Sequence, residues 1–308
     1  MKSMFFFNSN HQLFVGVVKG IKLSHLVNAF YSAKKDLSPQ MEKRTTRQFT
    51  EILKKKLRNL YSELPGSSAI STIGNVAIEN FTYLKYLEMY APNEVGPGQV
   101  YISYDPQSYF NNMLETIMHH FQSDPDIYVC IDEITHRRPC LGDGTGAVFL
   151  IDQFEATIKQ MGHVVVVMSP WNNLRIFHRT AMLFEIHCAI TNYCKLEIAL
   201  SEHDRNELSR AVVNGVVDEM MEGLEWINFE RSISSFHSLN ELVKVAVKPF
   251  DIANETVANA VRDCLIAQSQ VKGNPKLGRL HYSNGHNFCK DAYLNHNASP
   301  MSMQEILI

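Results

Sequence analysis

Residues 142–147, GDGTGA, spell G-x-G-x-x-A, the spacing with which a glycine-rich turn lets backbone approach a pyrophosphate. That chemistry needs the first glycine directly behind a strand, and an acid at the end of the next strand. Here about ten residues separate the motif from the strand-like IYVCI (127–131), and HVVVVM (163–168) leads into Ser169 with no acid. The segment reads as a flexible loop, and no Walker sequence is present. His136 with Cys140, and His187 with Cys188 and Cys194, carry metal-binding side chains without the spacing of a zinc site. Glu185 is more informative. It stands in a helical run with Ala181, Met182, Leu183, Phe184, Ile186, Ala189 and Ile190, where an acid has no obvious partner.

The elements that would position such groups follow from periodicity. Short apolar runs at 99–104, 127–131, 163–168 and 195–200 alternate with amphipathic helices, the signature of a parallel sheet covered on both faces. In such sheets ligands bind outside the carboxyl ends of the strands. Those ends are Tyr104-Asp105-Pro106, Asp132-Glu133 and Ser169-Pro170-Trp171, with Glu185 in the helix entered from the third. Carboxylates, a Trp face and helix N-termini on one edge suit a polar, partly aromatic ligand. Taken by spacing alone, Asp105 and Asp132 also serve as helix caps and Glu185 as a surface residue. Helical spacing groups His178, Met182 and Glu185 on a side distinct from Leu183, Ile186 and Ile190.

Before the sheet, residues 39–64 read as a basic helix entered at Ser38-Pro39, and 75–89 as a second helix ahead of the turn-rich APNEVGPGQ (91–99). After it, helices are expected at about 203–226, 238–246 and 254–270, then a polar tail without periodicity. The division is an N-terminal helical extension (1–95), an α/β core (96–202), a C-terminal helical subdomain (203–270) and the tail (271–308).

The chain has 308 residues, 45% hydrophobic, with a net charge of −3, so nucleic acid is not the expected partner. No segment reaches the ~20 apolar residues of a membrane span. The six cysteines show no CxxC pair and read as reduced thiols of an intracellular, cytoplasmic protein. Residues 1–35 contain five lysines and no acid. An ordinary basic extension and an organelle transit segment both fit that composition. Neither these residues nor 271–308 show enough apolar periodicity to fold alone, so both are expected to be ordered by other chains.

YISYDP (101–106), YVCIDE (128–133), IKQMGHVVVVMSPWNN (158–173) and RTAMLFEIHCAI (179–190), taken together, resemble a Toll/interleukin-1 receptor (TIR)-type domain. The likeness is to the divergent form found N-terminal to kinesin-light-chain-like tetratricopeptide arrays in protists and algae. Ile102, Ser103, Tyr128, Asp132, Gly162, His163, Ser169-Pro170-Trp171, Arg179, Glu185 and Ile186 carry it. The resemblance implies a TIR-like, flavodoxin-like sheet. It further implies that Glu185 matches the catalytic acid of TIR domains that cleave NAD+, with Tyr104, Asp105, Asp132, Ser169, Trp171 and Arg179 around the nucleotide. Three features depart from the pattern: Tyr104-Asp105-Pro106 replaces a His and Trp, Cys130 a Trp, and Ala181-Met182 a Trp-Cys pair. The expectation is a catalytically degenerate interaction or scaffold module that binds protein partners or itself, with no cofactor. The alternative is an NAD+ glycohydrolase using Glu185.

Overall fold

The computed structural model describes residues 17–36, 44–62, 82–135, 144–172, 174–214, 224, 226–234 and 237–269. In chain order the elements are β1 (Lys19–Lys22), α1 (Leu23–Asp36), α2 (Thr46–Ser62), α3 (Tyr83–Tyr90), β2 (Val95–Pro97), β3 (Val100–Ser103), α4 (Phe110–His120), β4 (Tyr128–Ile131) and α5 (Asp132–Thr135). They continue with α6 (Gly144–Met161), β5 (His163–Val167), α7 (Thr180–Thr191), β6 (Lys195–Ala199), α8 (Glu202–Asn214), α9 (His237–Ala246) and α10 (Phe250–Gln268).

The strands form one sheet in the order β2-β1-β4-β3-β5-β6. The four strands expected from the apolar runs pair in parallel, with Tyr101 beside Cys130 and Val164, and Val165 beside Glu197. Side chains alternate across this sheet. Tyr101, Cys130, Val164, Val166 and Ile198 face one core with α6, α7 and the C-terminal helices. Val100, Ile102, Val129, Val165 and Val167 face the other, with α1 and α4. The fold is therefore α/β with a mostly parallel, doubly covered sheet. Leu208, Val243, Val257 and Leu265 share the first core, so the helices after β6 close one face of the sheet.

The N-terminal region departs from the helical reading. β1 pairs antiparallel with β4 (Ile21 beside Val129), and β2 pairs antiparallel with β1 (Gly20 beside Gly96). Residues 17–36 are also ordered by their own chain, against the expectation that other chains order them. Leu23, Leu26, Val27 and Phe30 fall at helical spacing and are buried. Phe30 packs against Phe110 and Phe49, with ring centroids 5.1 and 5.6 Å away. The lysines around this stripe mask it in composition. Residues 144–147 differ too: they form the first turn of α6 and not a loop. The Ser38-Pro39 cap, residues 75–81, the stretch 136–143 and the tail 271–308 lie outside the described residues.

Gly20 makes the β1–β4 contact possible. A Cβ there would lie 2.9 Å from the Val129 carbonyl oxygen and 3.0 Å from the Tyr128 carbonyl carbon, both of them backbone atoms that cannot swing away. Gly20→Val is expected to cost about 2 kcal/mol through this overpacking. The check is chemical denaturation, with amide exchange of Tyr128–Ile131 accelerated if β1 is the element displaced.

Candidate functional site at the carboxyl edge

From β3 the chain runs to β4 on one side and, through β5, to β6 on the other, so the switch point of the sheet lies between β3 and β5. A shallow pocket opens there, lined by Tyr104, Asp105, Ser108, Asn112, Met113 and Ser169 among others. Its interior of about 10 Å³ is the room of one water. Asp105 at the rim accepts from the Gln107 N–H at 3.1 Å and from Arg179 Nη1 at 3.3 Å. Arg179 occupies the N-cap position of α7, so this ion pair ties the entrance of α7 to the end of β3.

Glu185 lies on the other face of β3. It is only 6% exposed; Oε2 accepts from Ser103 Oγ at 2.6 Å and Oε1 from Tyr101 Oη at 3.1 Å. Tyr101 and Ser103 share a face because the strand period is two, and α7 packs across that face. Burial, reinforced by the Glu185 charge, pushes the Tyr101 hydroxyl well above its ordinary range, so it stays a donor. The charge of Asp132, a buried residue at the end of β4, acts on Tyr101 in the same direction. Tyr104 packs with the opposite core, so β3 stands between the Glu185 carboxylate and the switch-point pocket. His178, grouped with Glu185 by spacing, instead lies exposed with its ring on Trp226.

Ser169 and Trp171 are drawn together by Asp204, a residue the sequence reading missed. Asp204 is 3% exposed and accepts from Ser169 Oγ at 2.7 Å, Ser201 Oγ at 2.6 Å and the Trp171 N–H at 3.1 Å. Ser201 Oγ in return accepts from the Asp204 N–H at 3.1 Å. Ser201 thus caps the start of α8, and its signal, Ser201-x-x-Asp204, stands in the sequence there. The Ser-Pro-Trp turn is thus fastened to the start of α8, and Trp171 packs on the core that holds Glu185.

The nucleophile candidates are muted. Burial raises the thiols of Cys130 and Cys188 well above their usual range, so neither supplies thiolate. Among the described residues no cluster of His, Cys, Asp or Glu could hold a metal ion, and no helix is long and apolar enough to cross a membrane.

His187 adds a pH dependence. Burial lowers its pKa to about 4, and its ring meets Phe229 edge-on at 5.9 Å. The folded chain therefore favours the neutral ring, while the unfolded chain takes up a proton near pH 6.5. This contribution is complete above about pH 6.5 and is lost as pH falls toward 4, amounting to about 3 kcal/mol. Denaturation midpoints followed from pH 7 downward should fall less steeply in His187→Leu than in the native chain.

No family model matches this chain, nor does any curated protein or solved structure.

Proposed function

We propose that the chain is a TIR-like module that works by binding and not by turnover. The observation that carries this reading is the Glu185 carboxylate, buried beneath β3 and engaged by Tyr101 and Ser103. A catalytic acid for NAD+ cleavage must face the ribose as positive charge develops there. A carboxylate serving two hydroxyls inside the core instead anchors α7 to β3. The likeness to TIR domains is supported by the parallel order β4-β3-β5-β6 and by the block from Gly162 to Ile186. The substitutions at Tyr104, Cys130, Ala181 and Met182 remove the groups that would stack on a nucleotide.

The test is incubation of purified protein with NAD+, followed by chromatography for nicotinamide and ADP-ribose. The expected result is no release above a buffer control. Nicotinamide release that Glu185→Gln abolishes, without lowering the unfolding midpoint, would establish the glycohydrolase reading in its place.

A further inference from the structure

One wall of the switch-point pocket is held by a helix from outside the parallel core. Ser108 lines the pocket, and its carbonyl accepts from the Thr46 N–H at 2.8 Å and from Thr46 Oγ1 at 3.1 Å. The Pro106 carbonyl accepts from the Arg47 N–H at 3.0 Å, and the Phe110 N–H donates to the Arg44 carbonyl at 3.1 Å. Thr45 therefore faces Tyr109 as in an antiparallel pair. The N–H groups at a helix start have no partner within the helix, so the first turn of α2 and the β3–α4 loop satisfy each other. Behind this turn α2 is lightly anchored. Among its described side chains Phe49 is the one large apolar group that is buried, its ring centroid 3.9 Å from that of Phe110, while Ile52 and Leu53 are half-buried. By contrast α4, which follows the same loop, buries Phe110, Met113, Leu114 and Ile117. Elements with few buried apolar contacts open locally at lower cost than the core beside them.

We propose that the first turn of α2 is an autoinhibitory clamp on the switch-point pocket. Docked, it holds the β3–α4 loop against the pocket and leaves room there for one water. Released, it lets Pro106 and Ser108 withdraw and admits a small polar ligand, as the Asp105, Ser108, Asn112 and Ser169 lining requires. Release returns the freed backbone groups to water and uncovers one buried ring, so the sheet itself stays intact. The clamp rests on the reading of the chain as a binding module only for the purpose of the pocket, and the thiol measurements that test it succeed or fail without regard to nicotinamide release.

The experiment follows the reactivity of a thiol placed inside the pocket of the full chain. Val167 lines the pocket, is 7% exposed and is close to cysteine in size, so Val167→Cys is the reporter. It is labelled with iodoacetamide and read by peptide mass spectrometry. Native Cys188, buried in the opposite core, reports global opening in the same samples. Thr46→Pro removes both donors to Ser108, and proline at the first helical position leaves α2 itself intact. It should raise labelling of the reporter about tenfold or more without raising that of Cys188. Thr45→Cys with Tyr109→Cys tests the opposite direction. Residues facing each other in a non-hydrogen-bonded antiparallel pair have Cα atoms about 4.5 Å apart, within reach of a disulfide. Oxidised, that lock should slow the reporter below its native rate, and reduction should restore it. Equal labelling with and without Thr46→Pro, a rise matched by Cys188, or a lock that leaves the rate unchanged would each overturn the clamp.

Discussion

Glu185→Ala is expected to destabilise the chain by about 3 kcal/mol, a large share of an ordinary domain's stability. The loss has two sources. Removing the carboxylate takes the acceptor away from the Tyr101 and Ser103 hydroxyls inside the core, and it opens space under β3 where α7 rests. Tyr101→Phe, which removes one donor and leaves the carboxylate with Ser103, should cost about 1 kcal/mol. If Glu185 lay in an open cleft as a working acid, Glu185→Ala would shift the denaturation midpoint hardly at all. Urea denaturation of the two variants separates these cases before any activity is assayed.

Asp204→Ala is the second large effect, expected at about 2–3 kcal/mol. Three donors converge on this one carboxylate, and two of them, Ser169 Oγ and the Trp171 N–H, belong to the turn that ends β5. Losing it removes the acceptor that orients the Ser201 cap of α8 and frees the Ser-Pro-Trp turn in one step. Asp204→Asn should recover part of the loss, since its amide oxygen can still accept from a hydroxyl or the backbone. Equal destabilisation in the two variants would show that charge, and not geometry, holds the turn. Tryptophan fluorescence gives a local reading of Trp171, but Trp226 contributes to the signal, so the comparison belongs in a Trp226→Phe background.

The parallel strands were legible because each is a short, nearly unbroken apolar run. His163–Val167 has one polar residue, and that residue begins the strand. β1 was not legible. Lys-Gly-Ile-Lys is four residues long with one apolar side chain, and what makes it a strand is pairing with Val129, far along the chain. α1 was hidden differently: its buried stripe is regular, but lysines and the acid-free composition drew attention to charge. The candidate site divides in the same way. The carboxyl ends of β3 and β5 could be placed on one edge from the strand pattern, and Tyr104, Asp105 and Ser169 do line one pocket there. The role of Glu185 could not be read in advance. It depends on the register that sets Tyr101 and Ser103, on alternate positions of β3, beneath α7. Asp204 was hidden by the helix boundary: periodicity places the start of that helix at about residue 203, which leaves Ser201 outside the cap position.

The position of β1 also bears on how the chain assembles. It precedes both of its sheet neighbours in the chain, Val95–Pro97 and Tyr128–Ile131, by more than seventy residues. During synthesis Ile21 lacks its partner Val129, and the core under the apolar stripe of α1 stays incomplete, until β4 has left the ribosome. Contacts of such long sequence separation slow folding, and they leave apolar surface open to the wrong partner meanwhile. A nascent chain released before β4 should present that stripe to chaperones, and one released after β6 should not.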